Sequence, residues 1–532
     1  FSSRRRHTRL LTQSRGLGDV YKRQSIASAG RSPENRPKAI RVNPVGHANP
    51  LTSPLDRSMF AQWLPDTVNC RNLCSTGPYR CDSSMNARNI RQTLSIMVLI
   101  FIGAIQNPAM SQDLSSVDIP YEKHVLANGL TLLVHEDHST PQAFVSVYYK
   151  VGSRDEIPGK TGFAHLFEHL MFNGSENYEA GASGPIQEVG GRMNGDTWYD
   201  RTRYYQTVPN TALDRVLWLE SDRMGHLLGA VTQEKLDQQR GVVQNEKRRG
   251  DNRPYAMTQY NVLTGLFPEG HPYRWSTIGS MEDLTAASLD DVHAWFKKYY
   301  GAANAILVVA GAVETSAVIE SVESHFGDIP EGPPVSRLDD WVPERSYSTR
   351  EVMLDRAANP AIIRAWAAPG RDQREFEYLT IATQILGGDK SSRLYRALVQ
   401  EAGLATNVRF TANGHELASM PRVHVELLPD SDPQQAKKII AEEMGKFFEK
   451  GPTNEELILT KTSFAANKIR QLDSLRDRAV TIVESEFYLG SPDAYKKQFQ
   501  VYENATREEV RTAAKRWLGD GYHQISVVPY GG

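Results

Sequence analysis

Cysteine is almost missing from this 532-residue chain: Cys70, Cys74 and Cys81 are all there is. Everything after them is therefore without a disulfide framework and without thiolate ligands for a metal. Apolar runs of membrane-spanning length are lacking too. Leu94 to Ile105 is apolar over twelve residues, whereas a spanning helix needs about 20. Nor is there an excess of positive charge. The chain holds 61 Lys+Arg against 63 Asp+Glu, but 16 of the former and 5 of the latter fall in residues 1–111, leaving 45 against 58 from residue 112 onward. A body this acidic argues against nucleic acid as a partner.

Residues 1–84 have 14 basic and 5 acidic residues, are rich in Arg, Ser and Pro, and show no sustained apolar period. No fold is expected there. The runs Ser3 to Arg9 and Gly18 to Gln24 resemble translated adaptor sequence, so this part reads as a non-native, disordered leader. From Met85 the pattern changes: Arg88 and Arg91 precede the apolar run, and Ala109 and Ser111 supply small residues at −3 and −1. That order is expected of a signal peptide spanning 85–111, cleaved after Ser111. Export to the periplasm or beyond, with no stable membrane span, follows as an expectation.

The stretch Gly162-Phe-Ala-His165-Leu-Phe-Glu168-His169-Leu-Met-Phe-Asn-Gly174 carries the chemistry. On a helix, His165 and His169 lie about 40° apart and Glu168 about 60° to the other side of His165. All three share one sector. Two neutral imidazoles one turn apart can bind a single Zn²⁺, and a carboxylate beside them can take a proton from its water. The order H-x-x-E-H is the inverted zinc motif. Histidines also occur on ordinary helix faces. Here, however, Leu166, Phe167, Leu170, Met171 and Phe172 predict a packed helix, on which an unliganded polar triplet would be costly to bury.

The rest of the chain repeats itself. Ala143-Phe-Val-Ser-Val-Tyr-Tyr-Lys-Val-Gly152 matches Ala361-Ile-Ile-Arg-Ala-Trp-Ala-Ala-Pro-Gly370, and Ser288 to Val292 matches Thr506 to Val510, both at an offset of 218. Equal offsets indicate duplication. Each half reads as strands, a helix, more strands, helices and a closing strand, which is an α+β pattern. The expected domains are 112–331 and 351–532, joined by a proline-bearing linker at 332–350. Asn128-Gly129 predicts a two-residue hairpin turn. At the same offset His165, Glu168 and His169 correspond to Thr383, Leu386 and Gly387, so one zinc per chain is expected, in the first half only.

Two imidazoles hold zinc weakly, and catalytic sites usually have three protein ligands. Glu246, in the helical stretch Thr232 to Arg249, is by itself an ordinary surface charge. Yet H-x-x-E-H followed by Arg240-Gly-Val-Val-Gln-Asn-Glu246 resembles the pitrilysin and insulysin family of zinc peptidases. Gly152-Ser-Arg-Asp-Glu156, Gly190-Gly-Arg-Met-Asn194-Gly-Asp-Thr197, Thr202-Arg-Tyr204-Tyr205 and His271-Pro-Tyr273 resemble further family motifs in order. In size the chain is similar to the smaller members, which include the β subunit of mitochondrial processing peptidase and bacterial relatives.

The resemblance implies two duplicated domains, each an antiparallel-rich sheet with helices packed on it, facing each other across a chamber. It implies His165, His169 and Glu246 as zinc ligands and Glu168 as general base for peptide-bond hydrolysis. It also implies an edge strand that receives the peptide backbone, with Asn194, Thr197 and Tyr204 as substrate contacts; ordinary strand packing is the alternative for Tyr204 and Tyr205.

Two departures stand out. Gln239 occupies a position where the family often has Glu. The Arg and Tyr with which some members grip the substrate are also missing: Arg422 is followed seven residues on by Pro429, and Arg393 with Tyr395 reads as structural. A metal-free homologous partner subunit supplying that pair is therefore expected. The rival expectation is a non-catalytic assembly subunit, although relatives of that kind usually have broken metal motifs.

Overall fold

The alternating, β-branched segments form strands that fall into two sheets of one topology. In the computed structural model, which describes residues 114–530, the first contains β1 (Glu122–Val125), β2 (Thr131–Glu136), β3 (Gln142–Tyr149), β4 (Arg192–Thr197), β5 (Thr202–Pro209) and β6 (Ala305–Gly311). Their order is β1-β2-β6-β3-β5-β4, with β2 and β6 parallel and the other neighbours antiparallel. The second contains β7 (Thr349–Asp355), β8 (Ala361–Ala365), β9 (Ala405–Thr411), β10 (Arg422–Leu427) and β11 (His523–Pro529), ordered β7-β11-β8-β10-β9. Here β7 and β11 are the parallel pair. Strand for strand this is the first sheet without β1, as the sequence duplication requires. The leader at 1–84, the signal peptide at 85–111 and the three cysteines lie outside the described residues.

Two local expectations change. The β1–β2 connection is a three-residue loop, because Leu126 N–H bonds Leu130 O at 3.0 Å and Gly129 N–H bonds Leu126 O at 2.9 Å. Gly129 takes the left-handed conformation at φ +85°. The reason is tertiary: the Asn128 amide is drawn away to donate to Phe326 O and Ile329 O at 2.7 and 2.9 Å. The second sheet also starts early, with β7 beginning at Thr349 inside the stretch read as linker.

Six helices position the site and the cores: α1 (Phe163–Met171), α2 (Gln233–Asp251), α3 (Thr258–Leu266), α4 (Arg374–Gly387), α5 (Leu475–Leu489) and α6 (Ala494–Asn504). The first sheet buries Leu132, Val134, Val145 and Val147 against α1 and neighbouring helices of its own half. Its other face, with Leu133, Phe144, Tyr148, Ile306 and Val308, is covered by Ile482, Val483 and Phe487 of α5 and Phe499 of α6. Conversely, Val262, Leu263 and Leu266 of α3 pack on Ile363, Ala365, Ile525 and Val527 of the second sheet. Each half lends helices to the other. Ile482 is fully buried at this exchange, so Ile482→Ala is expected to cost about 2–5 kcal/mol in urea unfolding and to melt both halves together.

A polar hub ties the same interface. The Tyr273 hydroxyl donates to Asp200, Glu416 N–H reaches Asp200 Oδ2 at 3.1 Å, and Arg154 Nη1 reaches Glu416 Oε2 at 2.7 Å. His271 is buried beside it, its Nδ1 accepting from Tyr273 N–H at 3.0 Å and its Nε2 donating to Trp341 O at 2.9 Å. Burial pushes its pKa down to about 4. The unfolded chain then binds a proton that the folded chain refuses, so this contribution is present above about pH 6.5 and lost as pH falls toward 4. Stability is expected to drop by about 3 kcal/mol over that window from this residue. Urea midpoints for the wild type and His271→Gln across the range would isolate it.

Candidate metal centre

Helix α1 begins where a side chain is forbidden. Gly162 is left-handed at φ +87°, and a Cβ there would stand 2.7 Å from Ile278 O. Having no side chain, it cannot cap the helix. Glu156 does so from outside, accepting from Gly162 N–H at 3.0 Å and Ala164 N–H at 2.9 Å. Burial pushes this carboxyl well above the usual range, opposed by those two bonds. With Phe163, Leu166, Phe167, Leu170 and Met171 in the core, the helix cannot turn about its axis. The sector holding His165, Glu168 and His169 is therefore set by packing.

The third group arrives on α2, whose N-cap Thr232 accepts from Lys235 N–H. Glu246 Oε2 lies 3.8 Å from His165 Nε2 and 3.3 Å from His169 Nε2. One ligand atom from each residue falls within 4.8 Å of the others, and this is the one such metal-capable group among the described residues. Four-coordinate zinc holds neighbouring ligand atoms about 3.4 Å apart. The donor set fits. Burial, with His169 alongside, pushes His165 down to about 4, so the imidazole is neutral as a ligand must be. Its Nδ1 is buried with no partner among the described residues.

Glu168 faces the same space. Its Oε2 accepts from the Thr197 hydroxyl at 2.6 Å. Burial raises the carboxyl to about 7, and the Thr197 bond works the other way. In the second half, Thr383, Leu386 and Gly387 are buried on α4 and offer no ligand set.

The sequence model described as Insulinase (Peptidase family M16) matches residues 131–270, and that described as Peptidase M16 inactive domain matches residues 286–464. Zinc protease PqqE of Helicobacter pylori is 30% identical over 403 residues, covering 73% of this chain and 86% of that one. The chain belongs to the insulinase family, M16. Uncharacterized zinc protease YmxG of Bacillus subtilis is 22% identical over 77% of this chain and 98% of its own. Among solved structures, a protease from Helicobacter pylori superposes with a TM-score of 0.72 at 25% identity, covering 77% of this chain and 99% of that one. A structure from Pseudomonas fluorescens, titled peptidase M16 inactive domain, shares the fold with a TM-score of 0.70 at 17% identity over 77% and 98%.

In this M16 chain the residues expected to touch substrate divide. Asn194 is exposed on β4, the terminal strand of its sheet. Thr197 is turned inward and its hydroxyl is committed to Glu168, so it holds the carboxylate instead of reaching outward. Tyr204 is a correction. It is fully buried, its ring set edge-on to Phe172 and 4.0 Å below the Arg223 guanidinium. The cause is strand alternation: even-numbered Tyr204 points into the core with Val208, while Tyr205 takes the opposite face.

Sequence reasoning missed several supports. Gln239 donates to Asn173 Oδ1 at 3.2 Å, and Asn173 donates to His169 O at 2.7 Å, so the unusual Gln secures the end of α1. Asp196 receives Arg201 and Arg203, and Arg203 lies 3.9 Å from Glu484 of α5, which pins the β4–β5 hairpin from the far side. Glu156 closes the segment Gly152-Ser-Arg-Asp-Glu156 and has no local mark of its capping role. Its spacing of six and eight residues from the amides it caps matches no local capping pattern.

Arg422 is held by Gln259 and Thr258, each at 2.9 Å, and Arg393 by Glu456 at 2.6 Å. Both guanidinium groups have structural duties.

Proposed function

We propose that this M16 chain is a zinc endopeptidase that hydrolyses extended or unfolded peptides, acting after export as the metal-bearing subunit beside a metal-free homologue. The convergence of His165, His169 and Glu246 next to Glu168 carries the reading. Zinc held by those three would supply a Lewis acid and lower the pKa of its water to about 7. Glu168 accepts the proton of the attacking water and returns it to the departing amine, and Thr197 keeps one carboxylate oxygen in place while the other works. The outer edge of β4 offers backbone N–H and C=O groups to a peptide, which favours extended chains with loose side-chain preference. Asn194 stands on that edge.

The engagement of Arg422 and Arg393, which leaves neither to grip a substrate carbonyl, supports the partner. Purified protein is expected to bind about one zinc per chain by elemental analysis. It should cleave an unstructured fluorogenic peptide weakly when alone, and strongly once a metal-free homologue is added. Full activity without a partner would sink the heterodimer, and a zinc-free protein would leave only an assembly role.

A further inference from the structure

We propose that the cavity beside β4 is a subsite that selects an acidic side chain, Asp or Glu, in a peptide laid along that strand. This rests on the endopeptidase reading above. The space has a volume of about 790 Å³ and is bounded by Arg192 and Asn194 of β4, Tyr205 and Thr207 of β5, Gln142 of β3, and Arg476 of α5. Two of these six are cations, and no Asp or Glu lines it among the described residues.

That imbalance is unusual for its surroundings. On the same side of the sheet, Arg201 and Arg203 are paired with Asp196, and Arg478 with Asp137. Arg192 and Arg476 are exposed and make no ion pair among the described residues. Arg476 is nevertheless placed, its guanidinium lying 4.5 Å from the centre of the Tyr205 ring. A cation held over an aromatic face and left without a counter-ion is a ready receptor for a carboxylate.

Strand geometry supplies the ligand. Side chains alternate along β4, so Thr197 reaches Glu168 on one face while Arg192, Asn194 and Asp196 share the other. A peptide paired to the free edge of β4 alternates in the same way. Its residues on the cavity side then pass Asn194 and Arg192, about 10–17 Å along the strand from Thr197. Those positions lie about three to five residues from the bond presented to Glu168.

Unstructured peptides carrying Glu or Lys at each position three to five residues from the cleaved bond, on either side, test this. Competitive cleavage reads kcat/KM, and anisotropy of the labelled peptides on zinc-loaded Glu168→Gln protein reads Kd without turnover. At one position Glu is expected to exceed Lys by about tenfold in both readings, and the Arg192→Glu/Arg476→Glu double variant should bring that ratio below one. Arg192→Glu alone, which leaves the Tyr205 stack intact, should shift it in the same direction. A ratio within about twofold of one at every position, or one that survives both substitutions, overturns the subsite. Cleavage without charge preference leaves the peptidase reading standing. Charge-selective binding with no cleavage even after a metal-free homologue is added leaves the subsite standing and removes the peptidase reading.

Discussion

Glu168→Gln is expected to lower kcat on an unstructured peptide by about 100- to 10,000-fold while zinc remains at about one per chain. The amide is isosteric and still accepts from the Thr197 hydroxyl, which stands 2.6 Å from the carboxylate, so the local geometry has no reason to shift. What disappears is a group able to take a proton. Burial already disfavours charge at this position, so the neutral variant should fold at least as stably as the wild type. A dication nearby acts in the opposite sense and favours the carboxylate. Kinetics with parallel zinc analysis and thermal unfolding check the result. Turnover retained within about tenfold would remove Glu168 from the base role.

Glu246→Ala should have the complementary signature, with loss of zinc, loss of activity and almost no change in the stability of the metal-free protein. Its side chain is 45% exposed and contributes little to packing, so unfolding of the apo form should move by no more than about 0.5 kcal/mol. The metal site would keep only His165 and His169, one turn apart on α1, against the three protein ligands that catalytic zinc ordinarily has. Calorimetry of zinc binding to the apo protein would read the difference directly. Undiminished zinc affinity would mean that another group supplies the third bond. Because Glu246 is the one member of the candidate metal group carried by a different helix, this experiment also tests whether the α1–α2 packing assembles the site.

The site was legible in unequal parts. The sector shared by His165, Glu168 and His169 depends only on helical periodicity, and the structure keeps it. Glu246 could be picked out only through the family resemblance, because an exposed Glu on a polar helix has no local mark. Thr197 and Tyr204 lie in the motif-bearing strands, yet one is turned to Glu168 and the other is buried under Arg223. Period-two alternation says that Tyr204 and Tyr205 face opposite ways. It does not say which face meets the core.

The sequence by itself determined the duplicated α+β plan, the one half that carries the H-x-x-E-H motif and the helix on which it sits. These follow from spacing within single segments and from the repeat at an offset of 218. Tertiary structure alone decided that α2 brings Glu246 to the imidazoles, that Asn128 is drawn out of a tight turn, and that α3 and α5 each cover the other half's sheet. An apolar helix face records that it must be buried but not against what. Packing between segments distant in sequence makes that choice, and it brings Glu246 to the two imidazoles of α1.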